Sequence, residues 1–512
     1  MNTANQQLTD DTEKAIKSFS PAEARKTLTS TSEQEWLTRG QNRAIALFHT
    51  AAERVPAYKD FLSKNKIKHD KIKTIQDFQN VPPVDKQNYL RAYPLGSLAW
   101  DGELSSLQMI SVSSGSSGTP FFWPRGQILD AETMLEHELF LTSFFEMDKY
   151  STLFLICFAM GMYVAGPITL NSVLRMGRKG YPVTAVSPGY SPDDVLAVIP
   201  KLAPFYDQVV IAGYPPYAKE IIDKGKEQGI DWSKIKTRLL LAGEGFNETW
   251  RTYVSELIGN QSPIYNFLNL YGSADAAVLG HETITSIIAR RRIDNDTEAR
   301  LKLFGNERMP SLLQYHPEHK FFENYGDNEI IFTAPGGIPL VRYNIHDHGG
   351  TLKHQDFIDA CPELKEYFNE LKQENKLWNL PFVYVFGKSD QTAIVYGANV
   401  YPENIKKALE HEEIRQTCTG KIIMRMELDG NKDQRFHVDI ECAPNTQDNK
   451  ELLEKISESV YKTLLDVNSE YRVVAKGIIK RAKPIVHLYP YGPEKFRSNS
   501  TNAKHKWLHK SE

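Results

Sequence analysis

Four short stretches carry residues whose types and spacing could handle a phosphorylated nucleotide. The first is Ser113-Ser114-Gly115-Ser116-Ser117-Gly118-Thr119-Pro120, ahead of Phe121-Phe122-Trp123. Small residues let a backbone approach a ligand closely, and hydroxyls with successive N–H groups can cradle an anion. No Gly-Lys-Ser/Thr is present, so it is not a Walker loop; a plain Ser/Gly turn is the competing reading. The second, Asn269–Asp275, places Tyr271, Gly272 and Asp275 after the apolar PIYNFL. The ring could stack on a base and the carboxylate could hold a hard cation such as Mg²⁺, or the segment is an ordinary turn. The third, Val341–Asp347, ends on a carboxylate able to accept from two ribose hydroxyls, or on a strand-end Asp. The fourth is Phe386-Gly387-Lys388-Ser389-Asp390, followed by Gly397-Ala398-Asn399-Val400-Tyr401-Pro402-Glu403. It falls where the character of the chain changes, as a hinge would, or a plain linker.

Other residues invite chemistry less strongly. His316 and His319 are three apart in HPEHK, but Pro317 favours a loop and no third ligand lies nearby. His346 and His348 flank Asp347 in what reads as a polar turn. Arg290-Arg291-Arg292 reads first as a solvated charge run, with a contact to a ligand phosphate as the alternative. Tyr214-Pro215-Pro216-Tyr217 and Phe158–Tyr163 could wall an apolar ligand pocket or belong to the core.

The elements that must position these residues alternate. From about residue 108 to 350, β-rich runs (TLFLICFA, PVTAVS, QVVIAG, RLLLAGEG, EIIFTAP) are separated by helical segments (ILDAETMLEHELFLTSFF, SPDDVLAVIPKLA, YAKEIIDKGKEQ, NETWRTYVSELIG). That alternation predicts an α/β architecture with largely buried sheets. A helix is expected from Ser32 to Pro56, and an extended crossing segment over the proline-rich residues 81–95. After Gly387 a smaller α+β unit follows, with helix PENIKKALEH, strands KIIMRMELD and RFHVDIECA, a long helix from Asn449 and a strand near PIVHLYP.

Composition excludes several classes. The 512 residues are 41% hydrophobic and 24% charged, globular values that argue against disorder or fibrous repeats. A formal charge of −3 gives no general field for nucleic acid. The four cysteines have no C-x-x-C spacing, which predicts a reducing, cytoplasmic setting, and the N-terminus has no apolar signal segment. The uncharged stretch Ser151–Leu174 is long enough for a bilayer, yet Gly161, Gly166 and Pro167 interrupt it; a buried strand, a turn and a buried helix account for it better.

Taken in order, the four stretches resemble the motifs of the adenylate-forming ligases, most closely the phenylacetate–CoA ligase-like branch. GKSDQTAIVYGANVYPENIKKALE follows that family's hinge pattern throughout, LLLAGEGFNETWRTYVSELIG is similar to its adenine segment, and VPAYKDFL with IQDFQNVPPVDKQNYLRAYP matches the branch. The resemblance implies an N-terminal adenylation domain over residues 1–386 and a mobile cap over 387–512. It implies that Ser113, Ser114, Gly115, Ser116, Ser117, Gly118 and Thr119 cradle ATP phosphates, that Gly243, Glu244 and Gly245 line the adenine, and that Tyr271, beside Gly272, stacks on it. By the same resemblance Asp275 binds Mg²⁺, Asp347 and Lys388 contact the ribose, Asp390 is the hinge, and Lys504, with Lys506 as competitor, is the catalytic lysine. Phe158, Tyr163, Tyr214 and Tyr217 are the acid-pocket candidates. The chain departs from the pattern at Thr119 (usually Lys), Ala274 (Thr or Ser), Asp275 (Glu), Lys388 (Arg) and Ala503 (Gly). The implied activity joins ATP and a small carboxylic acid, aryl or arylacetic, to coenzyme A through an acyl-adenylate. Transfer to an amine or a carrier protein, and a nucleotide-binding pseudoenzyme, are the alternatives. No membrane span is expected, and a homodimer stays open.

Overall fold

The computed structural model describes residue 14 and residues 16–496, apart from 106, 108, 114–120, 260–261, 389–392, 410, 415, 444–445 and 447. Eleven strands form one sheet, and its two halves differ in kind. In the first, β3 (Thr152–Ile156), β4 (Val183–Val186), β5 (Gln208–Gly213), β6 (Thr237–Ala242) and β7 (Phe267–Ser273) run parallel in the order β4-β3-β5-β6-β7. These strands read as near-continuous apolar runs because helices cover both faces. Leu153, Leu155, Val209, Ile211, Leu239 and Leu241 face one layer, with Val195, Ile199, Ile221 and Val254 from the helices above. Phe154, Ile156, Val210, Ala212 and Leu240 face the other, against Phe140, Leu141, Val173 and Met176. The alternation is the strand's period of two.

The second half is antiparallel. β8 (Ala277–His281), β9 (Ser311–Gln314), β13 (Phe382–Lys388), β12 (Leu340–Leu352), β11 (Glu329–Ala334) and β10 (Phe321–Tyr325) continue the sheet in that order. Helix Glu33–Arg54 packs on it through Ala44, Phe48, Ala51 and Ala52. Ser32 caps that helix, its Oγ accepting from Glu35 N at 3.2 Å, and Pro56 opens the next one. A separate hairpin of β1 (Met109–Ser113) and β2 (Phe121–Arg125) precedes the sheet.

Residues beyond β13 form their own sheets. β14 (Ala393–Val395) and β15 (Ala398–Val400) pair as a short ribbon, and β16 (Cys418–Leu428), β17 (Gln434–Cys442) and β18 (Ile485–Tyr489) form a three-stranded sheet. Helices Pro402–Leu409, Lys450–Val467 and Ser469–Gly477 cover them. Their apolar faces join the layer containing Val195 and Ile221, so this unit rests on helices Pro192–Leu202 and Pro215–Glu227.

The uncharged stretch beginning at Ser151 is the fully buried β3, a glycine turn and helix Ala165–Arg178. Among the described residues no helix is long and apolar enough to cross a membrane. The expectation of an extended segment over 81–95 holds only in part. Val84 bridges to Tyr343, but Lys86–Leu90 closes a wide helical turn. Asp85 makes that turn, its carboxylate accepting from Gln87 N and Asn88 N at 2.6 Å each while Asn88 Oδ1 accepts from Asp85 N at 2.8 Å.

Candidate active site

From β3 the chain steps outward to β4, then returns past β3 to β5. Open α/β sheets leave a crevice at such a reversal, outside the carboxyl ends of the strands. A cavity of about 610 Å³ occupies that position. Phe158 follows β3, Tyr214 follows β5, Gly243–Gly245 follow β6, and Tyr271 and Gly272 end β7; all line it. Ser113, Asp275 and Asp347 line the same cavity, as do Phe386, Gly387, Gly397 and Asn399, so described residues of all four sequence stretches converge.

Two tyrosine–aspartate pairs dominate its polar side. Tyr271 Oη donates to Asp347 Oδ2 at 2.5 Å, and Tyr343 Oη donates to Asp275 Oδ2 at 2.6 Å. Burial first, then the partner's negative charge, raises both phenols well above their usual range, so they stay protonated donors. The strand that carries Asp347 is anchored from behind. Arg342 is buried, pairs with Glu323 at 3.2 Å and donates to the Gln79 carbonyl at 2.7 Å. Asp347 stands opposite Lys388 in the β12–β13 register.

The loop after β6 is held by a charged network. Glu248 and Glu282 face Arg251 and Arg290, all four nearly enclosed. Arg290 also donates to the Phe246 carbonyl, which ties the loop to helix Ile284–Ile293. The solvated-run reading of Arg290-Arg291-Arg292 is therefore corrected. Arg290 and Arg291 bind Glu248, and only Arg292, which pairs with Glu363, is exposed. Burial pushes the Glu244 carboxyl up to about 8, against hydrogen bonds from Gln434 and the Gly397 backbone. The residue is half-buried as a whole, but Oε1 is enclosed and has no partner among the described residues.

Tyr214 marks where the C-terminal unit closes on the cavity. Its ring stacks on Tyr190 (centroids 5.4 Å apart, planes within 6°) and meets Phe158 edge-on. Gly243 and Gly397 abut it from the two units. A Cβ would fall 2.4 Å from the ring at Gly243 and 2.1 Å at Gly397, and both have positive φ, so no larger residue fits either place. Tyr163 also lines the cavity and contacts Ser469. Tyr217 does not line it. Its ring is fully buried in the core, with its hydroxyl 3.3 Å from the Gly189 carbonyl, which corrects its assignment to the acid pocket.

Sequence reasoning overlooked several lining residues, Lys86, His137, Gln434 and Glu470, and named Asn269 only as the start of its stretch. Lys86 carried one signal, a cation just after the Asp85 cap. His137 carried none, since one histidine on a largely apolar helix looks like core. His316 and His319 stack face to face at 4.2 Å, His319 bonds Glu136, and no metal-binding cluster of three or more such groups occurs among the described residues. Ser114, Gly115, Ser116, Ser117, Gly118, Thr119, Asp390, Lys504 and Lys506 lie outside the described residues.

The fold is that of the adenylate-forming ligases. Among solved structures the chain is similar to 2-hydroxyisobutyryl-CoA ligase in complex with 2-HIB-AMP and CoA in the thioesterification state. The TM-score is 0.64 at 14% identity, covering 96% of this chain and 94% of that one. Against the same ligase in the postadenylation state with R3-HIB-AMP the score is 0.54, at 14% identity over 96% and 94% of the two chains. Against its open conformation the score is 0.51, at 14% identity over 93% and 91%. No protein-family model and no curated protein sequence matches the chain.

Proposed function

We propose that this protein is an ATP-dependent ligase that converts a carboxylic acid into its acyl-adenylate and passes the acyl group to a thiol, that of coenzyme A. One observation carries the reading: Ser113, Tyr271, Asp275 and Asp347 surround a single cavity at the carboxyl ends of the parallel strands. In the first step a carboxylate oxygen attacks the α-phosphorus, the bond to the bridging oxygen breaks, and pyrophosphate leaves. In the second the thiol sulfur attacks the acyl carbon, its proton passes to solvent, and AMP leaves.

The residues present fit a nucleotide. Asn269 Oδ1 is buried at the cavity without a partner among the described residues, and it is an acceptor suited to an exocyclic amino group. Asp347, oriented by Tyr271, can accept from ribose hydroxyls. Asp275 is a single carboxylate, the donor set of a Mg²⁺ ion whose remaining ligands are phosphate and water. Mg²⁺ held there would draw charge from the phosphate oxygens.

A carboxylate and a polyphosphate repel each other, so the protein must supply positive charge. Lys86 lines the cavity and provides some of it, where the serine-rich loop has Thr119 instead of a lysine. Lys504 is proposed to supply the rest, carried in by a cap of residues 387–512 that turns about Asp390. The higher score against the thioesterification state, together with Gly397 against Tyr214, supports an arrangement that presents residues 397–399 for thiol transfer. Phe158, Tyr163 and Tyr214 form an aromatic wall suited to an aryl or arylacetic acid.

Acid-dependent pyrophosphate exchange tests the reading. Lys504→Ala should abolish exchange with its melting temperature unchanged, while Lys506→Ala should retain it. Exchange surviving both changes would end the swinging-lysine mechanism. Mass spectrometry of products formed with coenzyme A or with amines identifies the acceptor. ATP binding without AMP release from any acid would mark a nucleotide-binding protein with no ligase chemistry.

A further inference from the structure

The cavity has an apolar lobe that the nucleotide-handling residues do not explain. Phe158, Ile168, Leu270 and Val278 wall it, between β8 and helices Gln127–Phe144 and Ala165–Arg178. One imidazole, His137, interrupts that wall. It is 1% exposed, and its ring lies 4.9 Å from Phe140 in the same apolar layer.

The tautomer of this ring follows from its neighbours. Nδ1 sits 2.7 Å from the Thr133 carbonyl oxygen, which can only accept, so Nδ1 carries the hydrogen. Burial pushes the imidazole down to about 4, against the Thr133 bond and the Glu136 charge, with His281 opposing protonation as well. The ring is therefore neutral near pH 7, and Nε2 presents a lone pair. Nε2 has no hydrogen-bond partner among the described residues. An unpaired acceptor in an apolar wall is unfavourable unless a ligand, or a water that a ligand displaces, supplies the donor.

We infer that His137 is a specificity-determining residue whose Nε2 accepts a hydrogen bond from a hydroxyl or amine at the end of the acid remote from its carboxylate. The inference rests on the proposed ligase function and deepens it: the substrate class is a carboxylic acid with an apolar body and a distal hydrogen-bond donor. An ether or halogen at that position offers only another acceptor, and a bare ring or chain leaves Nε2 unpaired.

The test uses the full chain and matched acids. These are phenylacetate with its 3-hydroxy, 4-hydroxy and 4-methoxy derivatives, and octanoate with 8-hydroxyoctanoate. Affinity is read by calorimetry, and kcat/KM by AMP release with ATP. In at least one pair the hydroxy acid should bind at least about tenfold more tightly than its deoxy and methoxy counterparts. His137→Phe should bring the members of that pair within about threefold, chiefly by weakening the hydroxy acid, and His137→Gln, which keeps an acceptor, should restore much of the preference. Equal affinity within every pair of the wild-type protein, or a preference that survives His137→Phe, overturns the inference. The wild-type comparison decides the matter even if a variant fails to fold. AMP release without any hydroxyl preference removes this inference alone; binding of no acid at all removes it together with the proposed function.

Discussion

At the residue scale the site depends on two carboxylates held by phenols. Tyr271→Phe removes the donor that orients Asp347, so KM for ATP should rise about tenfold with kcat little changed, read by pyrophosphate exchange. Asp275→Asn keeps the Tyr343 contact and removes the charge. It should lower kcat by about 100-fold while ATP still binds by calorimetry. Glu244 gives a pH signature. Its carboxyl stands at about 8 in the fold, against the usual 4.5. A raised folded value means the native state holds a proton that the unfolded chain releases. Glu244 therefore favours folding most below about pH 4.5, and that contribution is lost as pH rises through about 8. The melting temperature of the wild-type protein should fall across that window more steeply than that of Glu244→Gln, measured by calorimetry.

At the element scale the contact between the two units is electrostatic as well as apolar. Lys219 Nζ meets Asp223 at 2.7 Å and Asp433 at 2.9 Å, and Arg481 meets Asp433 at 3.0 Å; Lys219 and Asp433 are almost fully enclosed. Asp433→Asn leaves two cations facing one carboxylate, which disfavours the docked arrangement. If that arrangement serves thiol transfer, thioester formation from preformed acyl-adenylate should slow about tenfold, with pyrophosphate exchange within about twofold of wild type. Rapid-quench measurement of each half-reaction separates the two effects. Both slowing equally would show the contact to be structural only. These partners, from a helix of the large unit and a hairpin of the small one, are 214 residues apart and carry no sequence motif.

At the scale of the whole molecule, the parallel half of the sheet rests on two filled layers, and the loop after β6 on a four-residue charge cluster. Arg251 is completely buried and serves both Glu248 and Glu282. Arg251→Leu removes a buried partner shared by Glu248 and Glu282, leaving both to Arg290 and Arg291, and should cost about 3–5 kcal/mol by denaturant unfolding. Removing an exposed partner such as Arg292 should leave the unfolding midpoint nearly unchanged, because solvent screens its pair with Glu363.

The sequence alone determined the local elements and the order of the motifs. Strand and helix assignments from residue 108 onward follow from hydrophobic period and caps, which are short-range, and Ser113, Tyr271, Asp275 and Asp347 could be singled out because small, aromatic and acidic residues cluster beside turns. Tertiary structure decided what those residues share. Pairing β12 against β13 sets Asp347 opposite Lys388, and the outward step to β4 opens the crevice. It also separated Tyr214, which lines the cavity, from Tyr217, which does not; three residues apart in one stretch, they differ because a helix turns one ring inward to the core. The place of His137 on the cavity and the burial of Arg290 were invisible for the same reason. Period and composition report which side of an element is apolar, and only packing reports whether that side meets core, cavity or a partner charge.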